Sequence, residues 1–376
     1  MWASNAASRS QNRQQWVAMV AGSFLVAALI AISRESGADF AQDYAAAWAW
    51  WHGMDPSAPT FLIYQACCPE DNVSGAYQTA HPPFATFLVL PLGLLPFKVA
   101  RAIWLMIGCL AIPLAWLCIG VNRGMALSTA AMWVVGLSLG VFEPILMLML
   151  ALALRVSPYH PGLAAVLIGL AAAIKIYPGV LLIAFFIALR WREGLYGLIT
   201  AVGVTFVADM ILGKWAFAAW LAYIPWNVER YLNTAGNASV VRLVHLVFPG
   251  LSISLVSVIV IVLLILPMAP YLFRSSDWRS LLPIMIAGSP LVGPHYVALL
   301  GLGRPHYGVA LCFGIGGIAA LLSRVGLLSL SHSTEIVIIA PLIGGLLIMW
   351  LDTLRWGLKY NRSLGNNSSD SRLLRT

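Results

Sequence analysis

The chain has 376 residues, 60% of them hydrophobic and 10% charged, with a formal net charge of +8. An ordinary globular domain carries about 25% charged residues, and a soluble fold of this length cannot keep so much apolar surface from water. The composition excludes a soluble protein and predicts an all-α polytopic integral membrane protein, since about 20 apolar residues span a bilayer as a helix with every backbone polar group paired. The basic residues gather in short clusters between apolar runs, such as Arg190-Trp191-Arg192 and the tail from Arg355 to Arg375. That is a topology signal for a plasma or inner membrane, and not a nucleic-acid surface.

A polar segment with Arg9 and Arg13 precedes the first apolar run, Trp16 to Ile32, which has no small-residue cleavage site and reads as an uncleaved span leading outward. Residues 34–81 carry Glu35, Asp39, Asp43, Asp55, Glu70 and Asp71 against Arg34 alone, and read as a first extracytoplasmic loop. Cys67 and Cys68 are adjacent there, open to pairing or to remaining thiols. Cys109, Cys118 and Cys312 lie in apolar runs and read as small core residues.

Phe84 to Phe97 is short and broken by Pro91 and Pro96. Ile103 to Val121 is a full span, and Ala126 to Leu154 is broken at Gly140 and at Glu143-Pro144. Gly162 to Leu189 is interrupted at Lys175-Ile176-Tyr177-Pro178, and Leu195 to Leu212 spans. Residues 214–249 form a second outer loop rich in aromatics. Leu251 to Phe273 spans, Arg274 to Arg279 is a short inner turn, and Leu281 to Gly303, Val309 to Leu322 and Ile336 to Trp356 follow. The expectation is one transmembrane domain, residues 1–356, of about nine to twelve spanning or re-entrant helices. Residues 357–376 read as a disordered cytoplasmic tail. Parity stays open: either Gly162 to Leu189 is one kinked helix, or Lys175 marks a hairpin tip and a short run such as Phe84 to Phe97 re-enters.

Three places in this apolar chain carry chemistry. Asp39 and Asp43 stand four residues apart, on one face of a helix if the segment is helical. A carboxylate at the bilayer surface can serve as a base, although loop acids on a solvated face need no such role. Lys175 lies inside an apolar run, where a charge is expensive and is functional by default. It suits an anion such as a phosphate, or pairs with an acid such as Glu143. Ser289-Pro290-Leu291-Val292-Gly293-Pro294-His295-Tyr296 interrupts another segment, and broken helices at membrane depth line cavities. Arg304 and His306 follow closely. No metal-ligand cluster, nucleotide-binding glycine loop or nucleophile elbow is present in the sequence, so neither a cofactor, a metal nor a soluble nucleotide donor is expected.

Taken in order, these motifs form a pattern. Asp39-Phe40, Asp43-Tyr44-Ala45-Ala46-Ala47 and Gly53-Met54-Asp55-Pro56 resemble the first outer loop of glycosyltransferase family 87. His81-Pro82-Pro83-Phe84, running to Pro91-Leu92-Gly93-Leu94-Leu95-Pro96, is similar to that family's Tyr-Pro-Pro run, with His81 in place of Tyr. Gly169-Leu170-Ala171 to Lys175 and Pro178, and Ser289-Pro290 with His295, resemble its two later motifs. Gly140-Val141-Phe142-Glu143-Pro144 departs from it, because the family carries Gly-Gln-x-Asn there.

The resemblance implies a GT-C fold and an inverting transferase. The donor would be a polyprenyl-phosphate sugar, by family habit mannose, and the acceptor a hydroxyl of a glycolipid or glycan, with membrane lipid as the other partner. It implies Asp39 as general base, with Asp43 as rival or orienting partner. Lys175, His295, Arg242 and Arg304 would bind the donor phosphate, and Tyr44, His81 and Tyr177 would contact substrate. A lipid transporter or flippase is the main alternative, and a non-catalytic scaffold subunit the second.

Overall fold

The computed structural model describes residues 38–68, 80–120, 123–213, 216–234, 237–303, 306–324, 326–328 and 332–367. The first apolar run, Trp16 to Ile32, lies outside them, as do Arg304 and residues 368–376. The described chain is helical throughout, with turns and short 3-10 segments between helices. Among the described residues five helices are long and apolar enough to cross a membrane, and five shorter apolar helical runs accompany them. The protein is an all-α polytopic membrane protein.

The helices in order are α1 (Ala38–Trp51), α2 (Thr60–Cys67), α3 (Pro83–Val89), α4 (Phe97–Ile119), α5 (Arg123–Leu139), α6 (Glu143–Val156), α7 (Pro161–Ile174), α8 (Ile183–Ile187) and α9 (Trp191–Leu212). They continue with α10 (Ala216–Leu232), α11 (Val240–Val247), α12 (Ile253–Ile265), α13 (Ala269–Ser275), α14 (Leu282–Ala287), α15 (Pro294–Val297), α16 (Tyr307–Arg324) and α17 (His332–Asn367). Cys67 and Cys68 are joined as a disulfide at the end of α2.

The breaks fall where backbone chemistry requires them. α5 stops at Leu139 because Gly140 takes a left-handed φ of +74°, a conformation glycine adopts freely. α6 restarts at Glu143 with Pro144 at its second position, where a missing N–H is harmless. α7 stops at Ile174, and Lys175 is extended (φ −143°, ψ 133°) ahead of a 3-10 turn over Tyr177–Leu182 that contains Pro178.

The chain then turns back at Lys175. Gly162, at the far end of α7, lies against Tyr196, and Gly194 lies against Phe186. Residues 177–187 therefore run back beside α7 toward its start, so Lys175 is a hairpin tip. The run after His81 folds onto α1. α3 and the 3-10 turn Leu90–Leu94 pack lengthwise on α1, where Trp51 Nε1 donates to the Leu90 carbonyl (2.8 Å), Tyr44 Oη donates to the Leu95 carbonyl (2.9 Å), and Gly93 abuts the Ala47 and Trp48 backbone.

A second hairpin covers residues 278–303. At its base Arg279 donates to the carbonyls of Leu302 and Gly303, both at 2.7 Å. Its tip is fastened to the segment between α10 and α11. Ser239 Oγ donates to the Ser289 carbonyl (2.7 Å), Asn237 Nδ2 to the Pro290 carbonyl (3.1 Å), and the Val292 N–H to Asn237 Oδ1 (2.9 Å).

Three stretches are more ordered than their composition predicts. Residues 34–81 and 214–249 read as loops, yet α1 and α2 lie in the first, and α10 and α11 occupy most of the second. Residues 357–376 read as a disordered tail, yet α17 continues to Asn367. Its first tail residues are held by aromatic packing, since Trp356 and Tyr360 both meet Tyr271, with ring centroids 5.4 and 5.6 Å away.

Between apolar helices in lipid, burial gives little drive to associate, and close backbone approach takes its place. Gly169 of α7 packs directly on the Gly197 backbone of α9. An aromatic knot of Phe40, Phe97, Trp104 and Phe142 fixes the start of α1. Phe40 stacks on Trp104 at 5.3 Å, Trp104 meets Phe142 edge-on at 4.8 Å, and Trp104 Nε1 donates to the Gly140 carbonyl at 2.8 Å.

Candidate active site

The three helix breaks meet. Glu143 opens α6, Lys175 closes α7, and His295-Tyr296 lie in the one-turn helix α15. Lys175 Nζ donates to Glu143 Oε1 at 2.7 Å and to Tyr296 Oη at 3.3 Å, and lies 4.5 Å from the centre of the Tyr296 ring. Tyr177 Oη donates to the same Glu143 oxygen at 3.3 Å, and its ring meets Tyr296 at 5.2 Å. His295 Cβ is close against Gly136 on α5. Glu143 is wholly buried, and Lys175 and His295 nearly so.

Asp39 completes the group. It sits half-buried in the first turn of α1. Gly140 admits this end of the helix because a side chain there would meet Phe40 Cβ at 2.6 Å. The Asp39 charge acts on Lys175, His295 and Tyr296. A partly open carboxylate thus lies within electrostatic range of a buried ammonium and an imidazole.

Asp43, one turn further along α1, is placed differently. It is fully buried, and its Oδ2 lies 2.7 Å from His81 Nδ1. The His81 ring in turn packs edge-on against Phe142, the neighbour of Glu143. The two acids expected on one helix therefore have separate environments. Beside His81 a small, partly open groove is lined by Ser57, Pro83, Thr86, Leu212 and Trp220 among others. Trp220 is oriented there by a hydrogen bond from Nε1 to the Ala80 carbonyl (3.1 Å).

Of the residues expected from sequence, the fold gathers Asp39, Lys175, Tyr177 and His295 in one place, with Asp43 and His81 adjoining. Tyr44 stands apart, its hydroxyl on Leu95 and its ring between Phe40 and Phe97, where it anchors α1. Arg242 is also elsewhere. Its Nη1 donates to Glu335 Oε1 at 2.9 Å and to the Asn237 carbonyl at 3.2 Å, tying α11 to the start of α17. Arg304 lies outside the described residues.

The sequence marks two members of the cluster only weakly. Glu143 is legible there as a partner for Lys175, although an acid inside an apolar run is itself a functional signal. Tyr296 lay in the interrupted segment beside His295, but nothing local marks it as the second acceptor for Lys175.

Such a constellation can take a proton from a nucleophile at Asp39 and stabilise negative charge beside Lys175 and His295. No curated protein and no solved structure matches the chain. The sequence model of glycosyltransferase family 87 matches residues 79–294, more than half of the chain, which takes in His81, Glu143, Lys175 and Arg242 and ends just before His295. The chain belongs to glycosyltransferase family 87 and is a membrane glycosyltransferase.

Proposed function

We propose that this enzyme moves a hexose, mannose in the first instance, from a polyprenyl-phosphate carrier to an acceptor hydroxyl at the extracytoplasmic face, with inversion, on a GT-C-type bundle. One observation supports the reading: the partly exposed Asp39, in the first turn of α1, is near enough to the buried Lys175 and His295 for its charge to act on them, at one end of the bundle. Asp39 removes the proton from the acceptor hydroxyl. The hydroxyl oxygen forms the new bond to the anomeric carbon as the bond to the phosphate oxygen breaks. Polyprenyl phosphate leaves with the electron pair, and its charge builds beside Lys175 and His295.

The distribution of charge supports the choice of face. α6 runs from Glu143 at the site to Arg155 in its last turn, about 20 Å away. Arg190 reaches Ser276 with Nη1 at 3.3 Å, so the clusters around Arg190 and Arg274 meet at that far end. The site end holds Asp39, Asp43 and Glu143 together with Lys98, Arg101 and Lys175, and so lacks the excess of basic residues at the far end. A basic far end is the inner one under the positive-inside rule. A donor with its lipid tail in the bilayer needs no nucleotide-binding loop, and none is present in the sequence.

The test is transfer in proteoliposomes. Polyprenyl-phosphate mannose and nucleotide sugars are offered in turn with a panel of glycolipid acceptors. The proposal predicts product from the lipid-linked donor alone, with the new linkage inverted relative to the donor. Transfer from a nucleotide sugar alone contradicts the donor. Movement of the lipid across the bilayer without any transfer contradicts the reaction and favours a flippase.

A further inference from the structure

We infer that Glu143 binds a hydroxyl group of the transferred sugar through its Oε2 atom, and so helps to select the donor. This deepens the proposed function and rests on its lipid-linked sugar donor. The carboxylate is unevenly used. Oε1 accepts from both Lys175 and Tyr177, while Oε2 is buried without a hydrogen-bond partner. His295 Nδ1 is in the same condition, and the two residues are close enough to interact electrostatically. A buried polar atom left unpaired is unfavourable, so native folds retain few of them. Here two occur in one cluster, at helix starts that follow the breaks at Gly140 and Gly293. That is the expected arrangement where a ligand, and not the protein, supplies the missing partners.

The chemistry narrows the ligand. A carboxylate oxygen accepts hydrogen bonds and cannot donate them. The phosphodiester of a lipid-linked sugar is anionic and has no hydrogen to give, so it is repelled from Oε2. A sugar hydroxyl donates to Oε2 and can accept from His295 or from a remaining N–H of Lys175. Lys175 thus stands between the two halves of the donor, with the phosphate on one side and Glu143 with the sugar ring on the other.

The substitution Glu143→Gln tests the contact sharply, because Lys175 fixes how the amide is seated. The amide oxygen must stay on Lys175, which puts an NH2 donor in the position of Oε2. The assay measures kcat/KM for polyprenyl-phosphate mannose and for its deoxy and deoxyfluoro analogues at each ring hydroxyl. Fluorine accepts weakly and cannot donate. In the native enzyme one position should lose roughly 10- to 150-fold with either analogue, the effect of removing one hydrogen bond to a charged group. In Glu143→Gln the deoxy loss at that position should shrink to about threefold or less, and fluorine should outperform hydrogen.

Equal deoxy losses in both proteins at every position, or a uniform fall in activity across the series, overturn the inference and leave Glu143 a structural residue. If Glu143→Gln does not fold, the native series still decides: fluorine restoring activity at every sensitive position overturns it. A native enzyme that uses only a different class of donor overturns the donor assignment itself, and is distinguishable because then no polyprenyl-phosphate sugar reacts at all.

Discussion

Removing the Lys175 ammonium leaves the Glu143 carboxylate alone in a dry interior. The pair is 2.7 Å apart with side-chain exposures of 6% and 0%. At an effective dielectric constant of 20 the gross attraction is about 6 kcal/mol, offset by the desolvation of both ions. The net value of the pair is therefore small, but breaking it from one side destabilises by about 3–5 kcal/mol. Lys175→Met should lose that much, and Glu143→Gln less, because the amide can still accept from Lys175. The double substitution Lys175→Met with Glu143→Met should recover most of the loss, since no charge is then left buried. Denaturation midpoints of the purified proteins in one fixed detergent mixture measure this. Lys175→Met within about 1 kcal/mol of the native protein, or a double variant that loses the sum of both singles, would refute the reasoning.

Gly140→Ala forces a left-handed backbone on a residue with a side chain, and the new methyl meets Phe40 Cβ at 2.6 Å. We expect a loss of at least about 2 kcal/mol and sharply reduced transfer, because Phe40 carries Asp39 with it; native stability and activity would show that α1 is not held there. Arg242 and Glu335 form a largely buried ion pair, so a double-mutant cycle with Arg242→Gln and Glu335→Gln should give a coupling of about 1–3 kcal/mol. Additive effects, with a raised donor KM for Arg242→Gln alone, would return Arg242 to the phosphate.

The breaks in the fold were legible because they are local. Gly140, Pro144, Pro178, Pro290 and Pro294 act on the backbone next to them, so all three interruptions were placed from sequence. Composition alone was enough for an all-α membrane protein. The contacts across the bundle were not legible. Asp43 meets His81 from 38 residues away, and Arg242 meets Glu335 from 93. The same limit left the path after Lys175 open, since only the packing of Gly162 on Tyr196 and Gly194 on Phe186 shows that the chain turns back. Spacing allowed Asp39 and Asp43 to share a helix face but did not show that the segment, read as a loop, is helical, nor that one carboxylate is partly open and the other sealed against an imidazole. The family match likewise begins at residue 79 and leaves both acids outside it.

The central claim is that Asp39 is the base of a lipid-linked sugar transfer. The most direct measurement compares the native enzyme, Asp39→Asn and Asp43→Asn in proteoliposomes with polyprenyl-phosphate mannose and an accepted glycolipid, each variant first shown to be folded. The account predicts that Asp39→Asn lowers kcat by about 100-fold or more with little change in donor KM, while Asp43→Asn, which weakens a buried contact to His81, keeps a much larger share of the native rate. A folded Asp39→Asn enzyme that transfers sugar at the native rate would contradict it.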